Sequence, residues 1–221
     1  FMCGRYGMFS TFAEIKDRFR VKIPDFELRT HYNAAPSQLL PVIIEHDQEH
    51  ELKLMQWGLI PSWAKDASFQ YKTINARAET ITELASYKNA FKSRRCIIPA
   101  NGFYEWVRDG KIKIPMYFTL KSEPIFAFAG LWDSWKNPLG QTVETFTIVT
   151  TEPNELVSKV HDRMPVILGE NENEWLTNGN DKDFYLSLLK PYPADDMNVW
   201  QVSQLVNKSS YDSPELIEKV N

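Results

Sequence analysis

Cysteine and histidine are scarce in this 221-residue chain, which holds two of the first and four of the second. Cys3 and Cys96 provide no disulfide framework, and no Cys-x-x-Cys pair or Cys/His spacing suggests a zinc site, so neither a metal nor another cofactor is expected. No apolar run approaches the roughly 18 residues of a membrane span, and the start lacks the charged-then-apolar pattern of a secretion signal. A cytoplasmic protein with no membrane partner is the expectation. Positive charge is not in excess either. Twenty-five Lys and Arg stand against 29 Asp and Glu, a net charge of −4, which argues against a broadly basic nucleic-acid coat but leaves room for a local groove lined by a few arginines. Repeats, low-complexity tracts, linkers and heptad seams are also missing. With 43% hydrophobic residues, the expectation is a monomer with one domain over residues 1–221.

What is present reads as strand-rich with a few short helices. Thr11-Phe12-Ala13-Glu14 fits a capping box opening a helix whose apolar face includes Phe12, Ile15 and Phe19. Runs 40–44 and 52–59 flank the polar stretch 45–51, as in a hairpin. Ile81, Leu84, Tyr87 and Phe91 recur at three and four residues, which predicts a helix within 78–91. Aromatic or β-branched runs at 96–100, 103–107, 113–120, 125–132 and 143–151 predict one large antiparallel sheet or barrel, with turns at Asp109-Gly110 and Pro138-Leu139-Gly140. Short helices near 154–159, 172–176 and 183–189, with strands at 164–168 and 197–202, complete an α+β pattern of a mainly antiparallel sheet or pseudo-barrel with peripheral helices. The polar tail 209–221 is expected to pack loosely.

Several polar residues sit where a packed strand or helix boundary makes them conspicuous. Glu105, between Tyr104 and Trp106, is either a desolvated carboxylate suited to acid/base work or a glutamate on the solvent face of an alternating strand. His161, in His161-Asp162-Arg163-Met164-Pro165, is placed to move a proton near neutral pH or to serve as a structural histidine. Asn75 suits a hydrogen bond to a substrate hydroxyl or carbonyl as well as a turn. Arg5, Arg77 and Arg163 each stand within two residues of one of these groups. Together they would suit phosphate; separately they are ordinary surface arginines.

Cys3 follows Met2 directly. Phe1 is read as an added residue ahead of a natural start at Met2, whose removal would leave Cys3 first. A first-position cysteine carries an amine of pKa about 7.7 to 8.0 and a thiol of about 8.5 on adjacent carbons. Such a 1,2-aminothiol condenses with an aldehyde and closes a thiazolidine ring. With Phe1 and Met2 attached the nitrogen belongs to a peptide and the ring cannot form, so Cys3 is then simply a small buried hydrophobe.

Six segments in order resemble the SRAP family, the SOS-response-associated peptidases: Met2-Cys3-Gly4-Arg5-Tyr6, Tyr32-Asn33-Ala34-Ala35-Pro36, Trp57-Gly58-Leu59-Ile60-Pro61-Ser62-Trp63, Asn75-Ala76-Arg77-Ala78-Glu79-Thr80, 95–106 and His161-Asp162-Arg163-Met164-Pro165. The resemblance implies a protein that binds single-stranded DNA and joins Cys3 to the aldehyde of an abasic site. It further implies Cys3, Asn75, Glu105 and His161 as catalytic residues, and Arg5, Asn33, Arg77, Trp106 and Arg163 as DNA contacts, with Trp63 or Phe69 stacking on bases. A thiol peptidase using Cys3, suggested by the family's name, and a noncovalent binder of damaged DNA are the other readings.

Overall fold

The hairpin of β3 (Leu39–His46) and β4 (Glu49–Trp57) turns on Asp47 and Gln48, both at positive φ (51° and 64°), as a two-residue turn between twisted strands requires. In this computed structural model, which describes residues 3–110 and 112–220, that hairpin is one wall of a closed ring. β3 pairs with β6 (Arg95–Ala100), β6 with β9 (Phe126–Lys136), and β9 with β10 (Thr142–Thr151), which returns to β4. All these contacts are antiparallel except the last, where Thr145 and Phe146 run parallel to Gln56 and Trp57. Two short strands extend β10: β5 (Asn75–Arg77), parallel to it, and β11 (Met164–Pro165), antiparallel.

The strand run through the middle of the chain does not stay in one sheet. One residue past β6 begins β7 (Gly102–Asp109), which belongs to a second, wholly antiparallel sheet. Its order is β12 (Met197–Gln201), β8 (Ile112–Leu120), β7, β1 (Tyr6–Met8) and β2 (His31–Ala34). The corner residue is Asn101. Its Oδ1 accepts the Phe9 N–H at 2.8 Å, while its Nδ2 donates to Ser10 Oγ and to the Pro124 carbonyl, both at 2.8 Å. Gly102 follows because a Cβ there would lie 2.3 Å from Cζ of Tyr117. The core joins the two layers: Tyr6 meets Trp57 and Phe128 edge-on, at ring-centre distances of 5.3 and 5.8 Å.

Helix α1 (Phe12–Phe19) carries the expected capping box, with Thr11 and Glu14 bonding one another's backbone N–H groups. The helix expected within 78–91 is shorter and later. Residues 78–87 form successive turns, and α2 spans only Lys88–Ser93. The Ala78 N–H is bonded to the Thr150 carbonyl beside β10, and the β-branched run Thr80-Ile81-Thr82 is a poor helix start. Helices α3 (Glu172–Leu176) and α4 (Lys182–Ser187) lie close to their predicted positions. No helix among the described residues is long and apolar enough to cross a membrane.

The tail is not loose. Leu216, in the short 3-10 turn Pro214–Ile217, is fully buried in a cluster with Tyr104, Tyr117, Val202 and Val206. Trp200 Nε1 donates to the Ile217 carbonyl at 2.9 Å, and the Val220 N–H bonds the Gln201 carbonyl at 3.0 Å. A few apolar residues in a polar stretch, Leu216 with Tyr211 and Ile217 beside it, carry the packing, which is why composition hides it. Leu216→Ala is expected to lower unfolding free energy by about 2 to 4 kcal/mol in urea titration; a change under about 0.5 kcal/mol would mean a solvated tail.

Candidate active site

The pairing of β1 with β7 builds the site. Tyr6 lies opposite Phe103 and Gly7 opposite Gly102, and the Tyr104 N–H bonds the Arg5 carbonyl at 3.0 Å. Following the antiparallel path back from Tyr6 and forward from Phe103 brings Cys3 beside Glu105. The Cys3 N–H donates to Glu105 Oε1 at 2.8 Å. Both residues are 1% exposed, so this contact replaces water on both groups.

The other predicted catalytic residues arrive from the ring. Asn75, at the start of β5, donates from Nδ2 to the Cys3 carbonyl at 3.4 Å, and its own carbonyl accepts the Tyr87 hydroxyl at 3.0 Å. His161 precedes β11 and places Nε2 4.0 Å from Glu105 Oε2. His161 Nδ1 lies 3.1 Å from both the Arg163 N–H and Asp162 Oδ1, while Nε2 points toward Glu105. These contacts bring all four groups together, and two of them, Glu105 and His161, line a cleft of about 600 Å³ with Arg5, Trp106, Arg108 and Lys113.

Burial governs the electrostatics. It pushes the Glu105 carboxyl up to about 8, against the lowering effect of the Cys3 N–H, with Asp162 adding to the rise. Burial, and then the neighbouring Glu105 carboxylate, also push the Cys3 thiol well above its usual value. Near neutral pH Glu105 is thus a group that can both give and take a proton, while Cys3 Sγ is held as the thiol.

The predicted DNA contacts divide. Arg5 lines the cleft, its Nη1 on Asn33 Oδ1 at 3.0 Å and the Val206 carbonyl at 2.7 Å. Trp106 also lines it, half-buried, with Nε1 on Asn207 Oδ1 at 2.7 Å. Arg77 is exposed at the end of β5, in register with Thr150. Arg163 is engaged, forming a two-pronged ion pair with Glu79 at 2.5 and 2.8 Å and bonding the Thr150 carbonyl at 2.8 Å. Trp63 is 51% exposed and packs edge-on against Phe69.

Asn33 requires correction as a surface contact. It is 1% exposed, and its Nδ2 donates to the carbonyls of Val206, Lys208 and Tyr211, while Asp212 accepts its N–H. It clasps the C-terminal segment instead. That segment was missed from sequence: through Val206 and Asn207 it fixes Arg5 and Trp106. An asparagine buried in a strand is the only hint, since the carbonyls it holds lie more than 170 residues away.

Fold and site together define an α+β domain in which a cysteine ahead of the first strand is held by a buried carboxylate. The chain belongs to the SOS response associated peptidase family, whose model matches residues 2–209. It is 53% identical to the abasic site processing protein YoqW of Bacillus subtilis over 222 residues, covering 98% of this chain and 99% of that one. It is 34% identical to the abasic site processing protein HMCES of Xenopus tropicalis, covering 86% of this chain and 66% of that one. A crystal structure of a Bacteroides thetaiotaomicron protein superposes with a TM-score of 0.92 at 31% identity, covering 99% of this chain and all of that one.

The state of Glu105 is measurable through stability. Its proton is held to about pH 8 when folded and to about pH 4.3 when unfolded. Its contribution is therefore fully present below the unfolded value and lost as pH rises through the folded one. The unfolding free energy of the parent minus that of Glu105→Gln should fall across this window, by up to about 1.4 kcal/mol per pH unit. Urea titration at stepped pH reads it, and a pH-independent difference would mean an ionised carboxylate throughout.

Proposed function

We propose that this chain processes abasic sites in single-stranded DNA by joining Cys3 covalently to the opened sugar. The observation that carries the reading is the 2.8 Å contact between the Cys3 nitrogen and a carboxylate buried at the head of a cleft. Once Met2 and anything before it are removed, that nitrogen is an α-amine. Glu105 takes a proton from the ammonium form, and the freed amine attacks C1 of the sugar aldehyde. The hydroxyl of the resulting carbinolamine then takes a proton from Glu105 and leaves as water, giving a protonated Schiff base. The Cys3 thiol adds to the same carbon, its proton passing to the nitrogen, and the thiazolidine closes with one water lost overall.

The remaining roles follow from position. His161, with Nε2 toward Glu105, assists ring opening of the sugar and proton return. Asn75 steadies Cys3 and offers a hydrogen bond to the sugar. Arg5 and Arg77 hold phosphates, and Arg163, tied to Glu79, braces that edge and neutralises charge nearby. Trp106 gives a stacking face at the cleft and Trp63 a second, more exposed one. Asn33 acts through Arg5 and the C-terminal segment.

A thiol peptidase needs a thiolate, and burial beside a carboxylate works against one at Cys3. The amine is the better first nucleophile. A noncovalent binder, in turn, would have no use for a carboxylate buried against that nitrogen.

Denaturing gel electrophoresis with an oligonucleotide carrying one abasic site tests the proposal. Protein beginning at Cys3 should give a shifted band, which Cys3→Ala and the chain retaining Phe1-Met2 should not. Glu105→Gln should slow the band's appearance by about 100-fold or more. A full-rate adduct on Cys3→Ala would overturn the proposal, as would its complete absence from protein with a free Cys3.

A further inference from the structure

The end of the β7–β8 hairpin carries an arrangement that folding alone does not favour. Its register sets Arg108 directly opposite Lys113, and both side chains are exposed. Like charges facing across a strand pair repel. Among the described residues, neither Arg108 nor Lys113 has a carboxylate partner to offset this.

Their position gives the pair a use. Both line the same cleft as Glu105, His161 and Arg5. Arg108 lies two residues beyond Trp106, so the two share a face of β7, and cross-strand Lys113 shares it too. The C-terminal segment covers this face from Tyr104 as far as Trp106, where Asn207 ends the cover. Beyond that point the face is open and cationic.

We infer that Arg108 and Lys113 form a second phosphate subsite, holding the backbone of the nucleic acid strand as it leaves the cleft past Trp106. The inference rests on the function proposed above, because a strand must first occupy the cleft. The ligand is the phosphodiester chain, without regard to base. Arg108 offers a planar fork suited to two phosphate oxygens and Lys113 a compact charge. The repulsion between them is relieved when the phosphates arrive.

Fluorescence anisotropy with an undamaged single-stranded oligonucleotide, titrated at several salt concentrations, tests the subsite without any covalent step. For Arg108→Gln/Lys113→Gln, the slope of log affinity against log salt should be shallower than the parent's by about 1.4, the loss of two phosphate contacts. Lys113→Glu provides a second variant that keeps the fold, since it creates an opposite-charge pair with Arg108. It should cut the slope and raise the unfolding midpoint. An unchanged slope in both variants would overturn the subsite. The covalent reading is judged separately on the parent protein with a free Cys3: failure to form an adduct, with the slope still falling in the variants, would sink the chemistry and leave the subsite standing.

Discussion

One hydrogen bond sets the terms for the rest of the site, that from the Cys3 nitrogen to Glu105. A carboxylate at 1% exposure is costly unless it is paired or neutral, and here the chain's first described residue supplies the partner. The contact depends on β1 lying beside β7 in one register, since a shift of one residue would turn Glu105 to the opposite face. That register in turn depends on the corner at Asn101, where the chain passes from the ring to the second sheet and three side-chain hydrogen bonds fix the bend. The ring contributes Asn75 and His161 at the edges of β10, so the two layers meet where the reactive groups meet.

A second dependency runs through the C-terminal segment. Its packing on Tyr104 and Tyr117, and its hold on Asn33, whose N–H its own Asp212 accepts, place the Val206 carbonyl and the Asn207 side chain. These fix Arg5 and Trp106, two of the cleft residues on the second sheet's side. The four groups around Glu105 thus rest on strands from both layers, and Arg5 and Trp106 on strands braced by a short irregular strap. Rigid positioning of this kind is what proton transfer at one nitrogen asks for.

Much of this was legible in the sequence. The strand runs announced themselves by β-branched and aromatic residues, and Glu105 stood out as a carboxylate between Tyr104 and Trp106, although strand alternation left open which face it takes. The hairpin at 45–51 was visible in its polarity, though the turn itself narrows to two residues. Other features were hidden for physical reasons. The parallel pairing of β10 with β4 and β5 joins segments far apart in the chain, which periodicity does not report. Residues 78–87 carry helical spacing, but sheet pairing at Ala78 overrides it. Asn33, a DNA contact only by family resemblance, is a buried clasp. That Cys3, Asn75, Glu105 and His161 come together was not legible, because no spacing rule joins residues 158 positions apart; family resemblance supplied only their grouping as catalytic residues.

The central claim is that Cys3 acts through its amine and thiol together. Intact mass spectrometry of the adduct between protein beginning at Cys3 and an abasic oligonucleotide, before and after borohydride and a thiol-alkylating reagent, tests it most directly. A thiazolidine predicts a mass equal to the two reactants less one water, no gain of hydrogen from borohydride, and no alkylation at Cys3. An adduct that borohydride reduces, and whose Cys3 thiol still alkylates, would show a Schiff base alone and contradict the account.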